Sequence, residues 1–258
     1  MPQPVSRLPA VVFLHGIGGS AQLWAPQLGA FAAAGFAPVA LDLLGYGARP
    51  AVAAMDFEAL ALDVEAAIAR RGLDRPVLVG HSLGGMVLQT SLRRRPDGYS
   101  AAILAGTSPA FGNPGGDFQQ RFVHDRLRPL DDGASLADIA AGIVDGLIGP
   151  LPDPACRALA IAAMSAVHAD TYRAAVRCLV SFDERANLPV IRVPVLCLAG
   201  AHDRNAPAAM MARMAGKIPG AAYHCLPTAG HLASLEAPVA FNAAVLDFLR
   251  RIFPADPV

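Results

Sequence analysis

Lysine is almost missing from this chain of 258 residues: Lys217 is the only one, so arginine carries nearly all the positive charge. Basic and acidic residues balance at 21 each. That bias reads as genome composition, not function, and no run of one sign is long enough for a nucleic-acid or membrane patch. The densest basic cluster, Arg93-Arg94-Arg95, falls where a helix should end and reads as a solvated terminus that complements the helix dipole. Cysteine is also scarce. Cys156, Cys178, Cys197 and Cys225 have neither metal-ligand spacing nor the framework of a disulfide scaffold, so reduced thiols and a cytoplasmic protein are expected. No apolar stretch is long enough to cross a bilayer before Gly or Pro interrupts it, and the run Ala10 to Leu14 after Arg7 is too short for a secretory segment. Internal repeats and low-complexity linkers are absent. The expectation is a soluble protein without metal, cofactor, nucleic-acid or membrane partner.

What the chain does contain is apolar runs alternating with helical stripes. Val11-Val12-Phe13-Leu14 reads as a buried parallel strand that ends in the loop His15-Gly16-Ile17-Gly18-Gly19. Ser20 suits a cap ahead of a helix carrying Trp24, Leu28 and Phe31, which Gly35 closes. A strand from Ala37 to Asp42 follows. A helix from about Asp56 to Arg71 then places Leu60, Val64 and Ile68 on one stripe and stops at Gly72. Strands are also expected at Pro76 to Val79 and Ala101 to Gly106, and, after a long interruption, at Val193 to Leu198 and Ala222 to Leu226. Helices from Ala208 to Lys217 and Pro238 to Ile252 complete the alternation. This is the pattern of a parallel sheet covered on both faces.

The interruption, Thr107 to about Leu188, has no strand signal. Four helical stretches are expected there: Phe118 to Leu127, Leu136 to Ile148, Cys156 to Val167 and Thr171 to Phe182. Pro109, Pro114, Pro129, Pro150, Pro152 and Pro154 punctuate them. The division predicted is a core of residues 1–108 and 189–258 and a helical cap of 109–188.

Chemistry points to Gly80-His81-Ser82-Leu83-Gly84. The G-x-S-x-G spacing between a strand and a helix presents Ser82 on a sharp turn where backbones nearly touch, which only glycine allows. The Leu83 amide at that helix start can donate to a developing oxyanion, and the glycine loop after the first strand can offer the Ile17 amide as a second donor. No Lys-Ser/Thr pair follows those glycines, so a phosphate loop is disfavoured.

A serine needs a base and the base an orienting carboxylate. His231 in Ala229-Gly230-His231-Leu232 and Asp203 in Gly200-Ala201-His202-Asp203 follow successive strands. Together with Ser82 they run Ser, Asp, His along the chain. Asp203 competes with a helix-cap role and with His202 beside it. Asp42 reads as a structural Asx-type residue, and His15, His81, His168 and His224 as structural or substrate-side. Phe111, Phe122, His124, Tyr172, Phe182 and Leu232 are the candidate substrate contacts.

Taken together, His15-Gly16, Asp42 to Gly47, Gly80 to Gly85, Gly200 to Asp203 and Gly230-His231 resemble the α/β-hydrolase superfamily along nearly the whole chain. The segments Ile218 to Ala221, His231 to Pro238 and Phe241 to Val245 are similar to those of 3-oxoadipate enol-lactonase-like hydrolases. Two departures stand out. The insertion has no tryptophan, because Trp24 is the only one in the chain. Only about ten residues precede the His-Gly strand, where such hydrolases carry a hairpin, so a sheet of about six parallel strands is expected, with the strand ending at Asp42 near an edge. Plant methylesterases and hydroxynitrile lyases share that short start, but the lyases place lysine where Leu232 stands.

The resemblance implies a cofactor-free serine hydrolase of a small carboxylic ester or lactone, as a monomer or a homodimer. Two alternatives remain open: the same triad driving C–C bond hydrolysis, lyase or perhydrolase chemistry, and a low-turnover small-molecule receptor.

Overall fold

The computed structural model describes residues 8–113, 115–150 and 153–254. Arg7, Pro114 and Pro152 lie outside them. In chain order the elements are β1 (Ala10–Leu14), α1 (Ala25–Ala33), β2 (Ala37–Leu41), α2 (Phe57–Arg70), β3 (Val77–His81), α3 (Leu83–Arg94), β4 (Ala101–Ala105) and four consecutive helices, α4 (Asp117–Asp131), α5 (Leu136–Asp145), α6 (Pro154–Ser165) and α7 (Ala169–Leu179). The alternation resumes with β5 (Val195–Gly200), α8 (Ala208–Ala215), β6 (Ala222–Leu226), α9 (Ala233–Glu236) and α10 (Pro238–Ile252).

The six strands form one parallel sheet ordered β2-β1-β3-β4-β5-β6, with β2 at one edge, as expected. Period-two alternation sends the side chains of each central strand to two separate cores. Val12, Leu14, Leu78 and Leu104 join the core that buries Leu60, Val64 and Ile68 of α2, Val87 of α3 and Met211 of α8. Val11, Phe13, Val79 and Ile103 join the opposite core, with Phe31 of α1 and Phe241, Val245 and Leu249 of α10. Helices thus cover both faces, and β1 and β3 flank the point where the strand order reverses, the place where such sheets bind ligands.

Several local expectations are corrected. Ser20 is extended but its side chain caps nothing; a 3₁₀ turn at Ala21–Trp24 precedes α1 instead. Asp56 does cap α2, accepting from the Ala59 amide. Pro129 does not end a helix but lies half-buried inside α4, and the carbonyl it orphans belongs to Asp125, an exposed residue. The arginine cluster is not simply solvated: Arg93 pairs with Glu184 at 2.9 Å and with Glu58, and Arg94 pairs with Glu65 at 2.8 Å and Glu58 at 2.7 Å, tying α3 to α2 and to the segment after α7. A single antiparallel bridge, Ala110 to Asp183, closes the two ends of the helical insertion on each other. Among the described residues no helix is long and apolar enough to cross a membrane.

Candidate active site

The G-x-S-x-G turn is built by exclusion of side chains. A Cβ on Gly80 would lie 2.5 Å from the Gly84 carbonyl oxygen, and one on Gly84 would lie 2.3 Å from that of Leu14. Strand β3, helix α3 and strand β1 therefore meet at van der Waals limits, and the chain between them has one tight path. Ser82 takes that path at φ 52° and ψ −117°, one of only two non-glycine residues with positive φ among those described. Such strain persists only where its surroundings enforce it, and it lifts the side chain off the strand end. Around it, the Ser82 amide donates to Ala105 and the Thr107 hydroxyl donates to the Ser82 carbonyl at 2.9 Å.

After β5, Asp203 is buried at 4% exposure and shares its carboxylate between two tasks. Oδ1 accepts the amides of Asn205 and Ala206 at 2.8 and 2.9 Å, which fixes the loop; Oδ2 faces Nδ1 of His231 at 2.8 Å. Burial pushes the Asp203 pKa up, but the imidazole and the two amides outweigh it and hold the carboxyl below its ordinary value. The carboxylate fixes the proton on Nδ1 and leaves Nε2 as the acceptor. Among the described residues the hydrogen bonds of the His231 ring run to Asp203 alone. His202, the rival, is exposed.

Two further histidines act as brackets. His15, 1% exposed, accepts the Leu43 amide at Nε2 (3.1 Å) and donates from Nδ1 to the Gly16 carbonyl (2.8 Å), so both ring nitrogens are spent on positioning the glycine loop. Burial lowers its pKa to about 4. His81 donates from Nε2 to the His231 carbonyl at 2.8 Å, joining the serine turn to the histidine loop; burial, then the neighbouring His231, lowers its pKa to about 3. Asp42 does not build an Asx turn in its own loop but receives the Ala21 amide at 2.7 Å.

Ser82 and His231 line one cavity of about 280 Å³, with Ile17 and Gly18 on one side and the helices α4 to α7 above. Of the candidate contacts, Phe111, Phe122, Tyr172 and Leu232 line it, and Leu83 lies fully buried at the start of α3. His124 does not: its ring is largely exposed and bonded to Asp125. Phe182 does not either; it is buried against Phe57, on the far side of the insertion. Phe182 lies beyond the end of α7 at Leu179, so the helix expected to carry it stops short, and His124 fails for reasons of helix phase. Phe118, Phe122 and Arg126 succeed one another at four-residue spacing and all line the cavity, whereas His124 is half a turn away. Arg126 and Arg204 are lining residues that the sequence reading passed over. The first could have been found from its i+4 spacing to Phe122 and the second from its place beside Asp203. Among the described residues no three His, Cys, Asp or Glu side chains form a set that could hold a metal ion.

Such an arrangement can activate a hydroxyl and hold a small apolar molecule over it. The profile of the "Alpha/beta hydrolase family" matches residues 11–244. "Putative carbamate hydrolase RutD" of Variovorax paradoxus (strain S110) is 32% identical over 253 residues, covering 94% of this chain and 92% of that protein. "Probable esterase PIR7A" of Oryza sativa subsp. indica is 40% identical over 124 residues, 46% of each chain. The crystal structure of the enol-lactonase from Burkholderia xenovorans LB400 superposes with a TM-score of 0.84 at 24% identity, covering 96% of this chain and 93% of that one, a likeness of fold.

Proposed function

The chain belongs to the alpha/beta hydrolase family, and from that premise we propose that it is a serine hydrolase of small carboxylic esters or lactones working through an acyl-enzyme. The observation that carries the reading is the buried Asp203–His231 pair at 2.8 Å opening on the cavity that Ser82 lines from its strained turn. Ser82 attacks the substrate carbonyl. His231 takes the hydroxyl proton at Nε2 and returns it to the leaving alcohol, while Asp203 holds the tautomer and stabilises the imidazolium. The relay requires a Ser82–Nε2 hydrogen bond of the kind that tightens only in the complex with substrate. The amides of Leu83 and Ile17 serve as oxyanion donors. Water, activated by His231, then releases the acid.

In this reading residues 1–108 and 189–258 form the catalytic core, and residues 109–188 form a cap that selects the acyl or alcohol part. The same chemistry cleaves a carbamate, and the full-length relative named for that activity puts a carbamate in the substrate panel. The test is kinetic. Rapid labelling of Ser82 by a fluorophosphonate and ester turnover that Ser82→Ala lowers on the order of a millionfold in kcat are expected. Near-normal turnover by Ser82→Ala would overturn the mechanism.

A further inference from the structure

The charge lining the cavity is one-sided. Neither aspartate nor glutamate lines it, while two arginines do: Arg126 from α4 and Arg204 from the loop after Asp203. Neither guanidinium forms an ion pair with a carboxylate among the described residues, although many of the chain's other arginines do. The nearest acid in sequence to each is already committed. Asp125 is bonded to His124, and Asp203 accepts from His231, Asn205 and Ala206.

Arg126 is also oriented. It follows Phe118 and Phe122 on the same helical face, and its guanidinium carbon lies 5.5 Å from the centre of the Phe122 ring, a cation–π contact that limits its rotation. Tyr172 stands close enough that the guanidinium offsets part of the rise that burial imposes on its phenol. An arginine that served only to solubilise the cap would extend into water and pair with the acids on its own helix, as Arg128 does with Asp132. Arg126 instead lines the cavity that holds Ser82 and His231, with no carboxylate partner among the described residues, in a wall that is otherwise mostly apolar.

We propose that the substrate carries a carboxylate, received by the Arg126 guanidinium beneath the cap, with Arg204 adding to the positive field at the other wall. The proposal rests on the hydrolase reading above and narrows it to anionic esters or lactones. A planar guanidinium meets a carboxylate with two parallel N–H donors, which gives both affinity and direction, and the absence of lining acids removes the repulsion that would oppose it.

The test compares charged and neutral substrates of equal chain length. One arm places the charge on the acyl part, p-nitrophenyl hydrogen glutarate against p-nitrophenyl pentanoate; the other places it on the alcohol part, 4-acetoxybutanoate against butyl acetate. A preference of about tenfold or more in kcat/KM for the charged member of at least one pair is expected. In Arg126→Met the charged-to-neutral ratio should fall toward one, Arg126→Lys should restore part of it, and Arg128→Met, on the solvent face, should leave it unchanged. Calorimetric binding of the same pairs to Ser82→Ala reads the preference without turnover. Ser82-dependent hydrolysis of neutral esters with no charge preference in either arm would overturn this inference and leave the hydrolase reading intact. A charge preference in binding that Arg126→Met removes, with no ester turned over by the wild-type protein, would sustain the anionic ligand and overturn the hydrolase reading. A ratio unaffected by Arg126→Met would overturn the assignment of Arg126.

Discussion

A histidine near a reactive serine either carries a proton or holds a neighbour in place, and its hydrogen bonds decide which. His15 has both nitrogens occupied by backbone groups, and burial keeps it neutral down to about pH 4. Its unfolded-state pKa is near 6.5. The folded value is therefore depressed, so between pH 6.5 and about 4 the unfolded chain binds the extra proton. The stability that His15 contributes is whole above pH 6.5 and is lost progressively as pH falls toward 4; His81 adds in the same direction, to about pH 3. Near pH 5 each contributes roughly 1.4 kcal/mol per pH unit to the slope. Urea unfolding from pH 7 to pH 4.5 should show this decline, and His15→Asn should flatten it by about one proton. A slope unchanged by that substitution would contradict the assignment. Asp203→Asn tests the proton carrier: an amide cannot hold the proton on Nδ1, and a loss of about 10⁴ in kcat with an unchanged fold by circular dichroism is expected.

Elements meet in this fold where side chains are absent, and those meetings were the most legible part of the chain. Gly80 and Gly200 were readable because each ends an apolar run, Gly84 from its spacing to Ser82 and Gly230 from its place before His231, and the structure shows what each glycine admits: a Cβ on Gly200 would sit 2.1 Å from the Gly230 carbonyl oxygen. Gly80→Ala has no flexible neighbour to displace, since its three nearest atoms are all backbone of Gly84 and Gly85. It should lower stability by about 3 kcal/mol in equilibrium unfolding and reduce ester turnover more than any substitution on the exposed face of α4. Strand positions were legible for the same reason: periodicity and turn chemistry are local. The insertion was legible only as helices. Which face of α4 looks inward depends on how α4 packs on α7 around Leu127, Leu130, Tyr172 and Val176, a nonlocal matter, and so Phe122 was found while Arg126 was passed over and His124 was misplaced. Short α9 escaped notice because four residues carry no period.

At the scale of the whole molecule, the helical insertion and the loop that carries His231 are fastened by one carboxylate. Glu236 at the end of α9 accepts the Gly149 amide at 2.6 Å and the Gly230 amide at 2.9 Å on Oε2, and the Leu232 amide at 2.9 Å on Oε1. The His231 amide, between those last two, donates to Leu147 at 2.7 Å. Every amide from Gly230 to Leu232 is thus spent on Glu236 or on the segment that follows α5, and Leu232 and Leu235 pack beneath α5 and α6. Movement of that segment must therefore move His231, and Glu236 is a positioning residue for both. Glu236→Gln keeps the shape but replaces one acceptor oxygen with a donor facing amide donors, at a cost of about 1–3 kcal/mol. Local loosening is the expected result: faster amide hydrogen exchange at 147–149 and 230–232 together, with β3 and β4 unchanged, and kcat reduced by about tenfold. A general structural role would raise exchange across the sheet as well. If 230–232 loosened while 147–149 kept its protection, the helical insertion and His231 would move independently, and access to Ser82 would have to be controlled elsewhere.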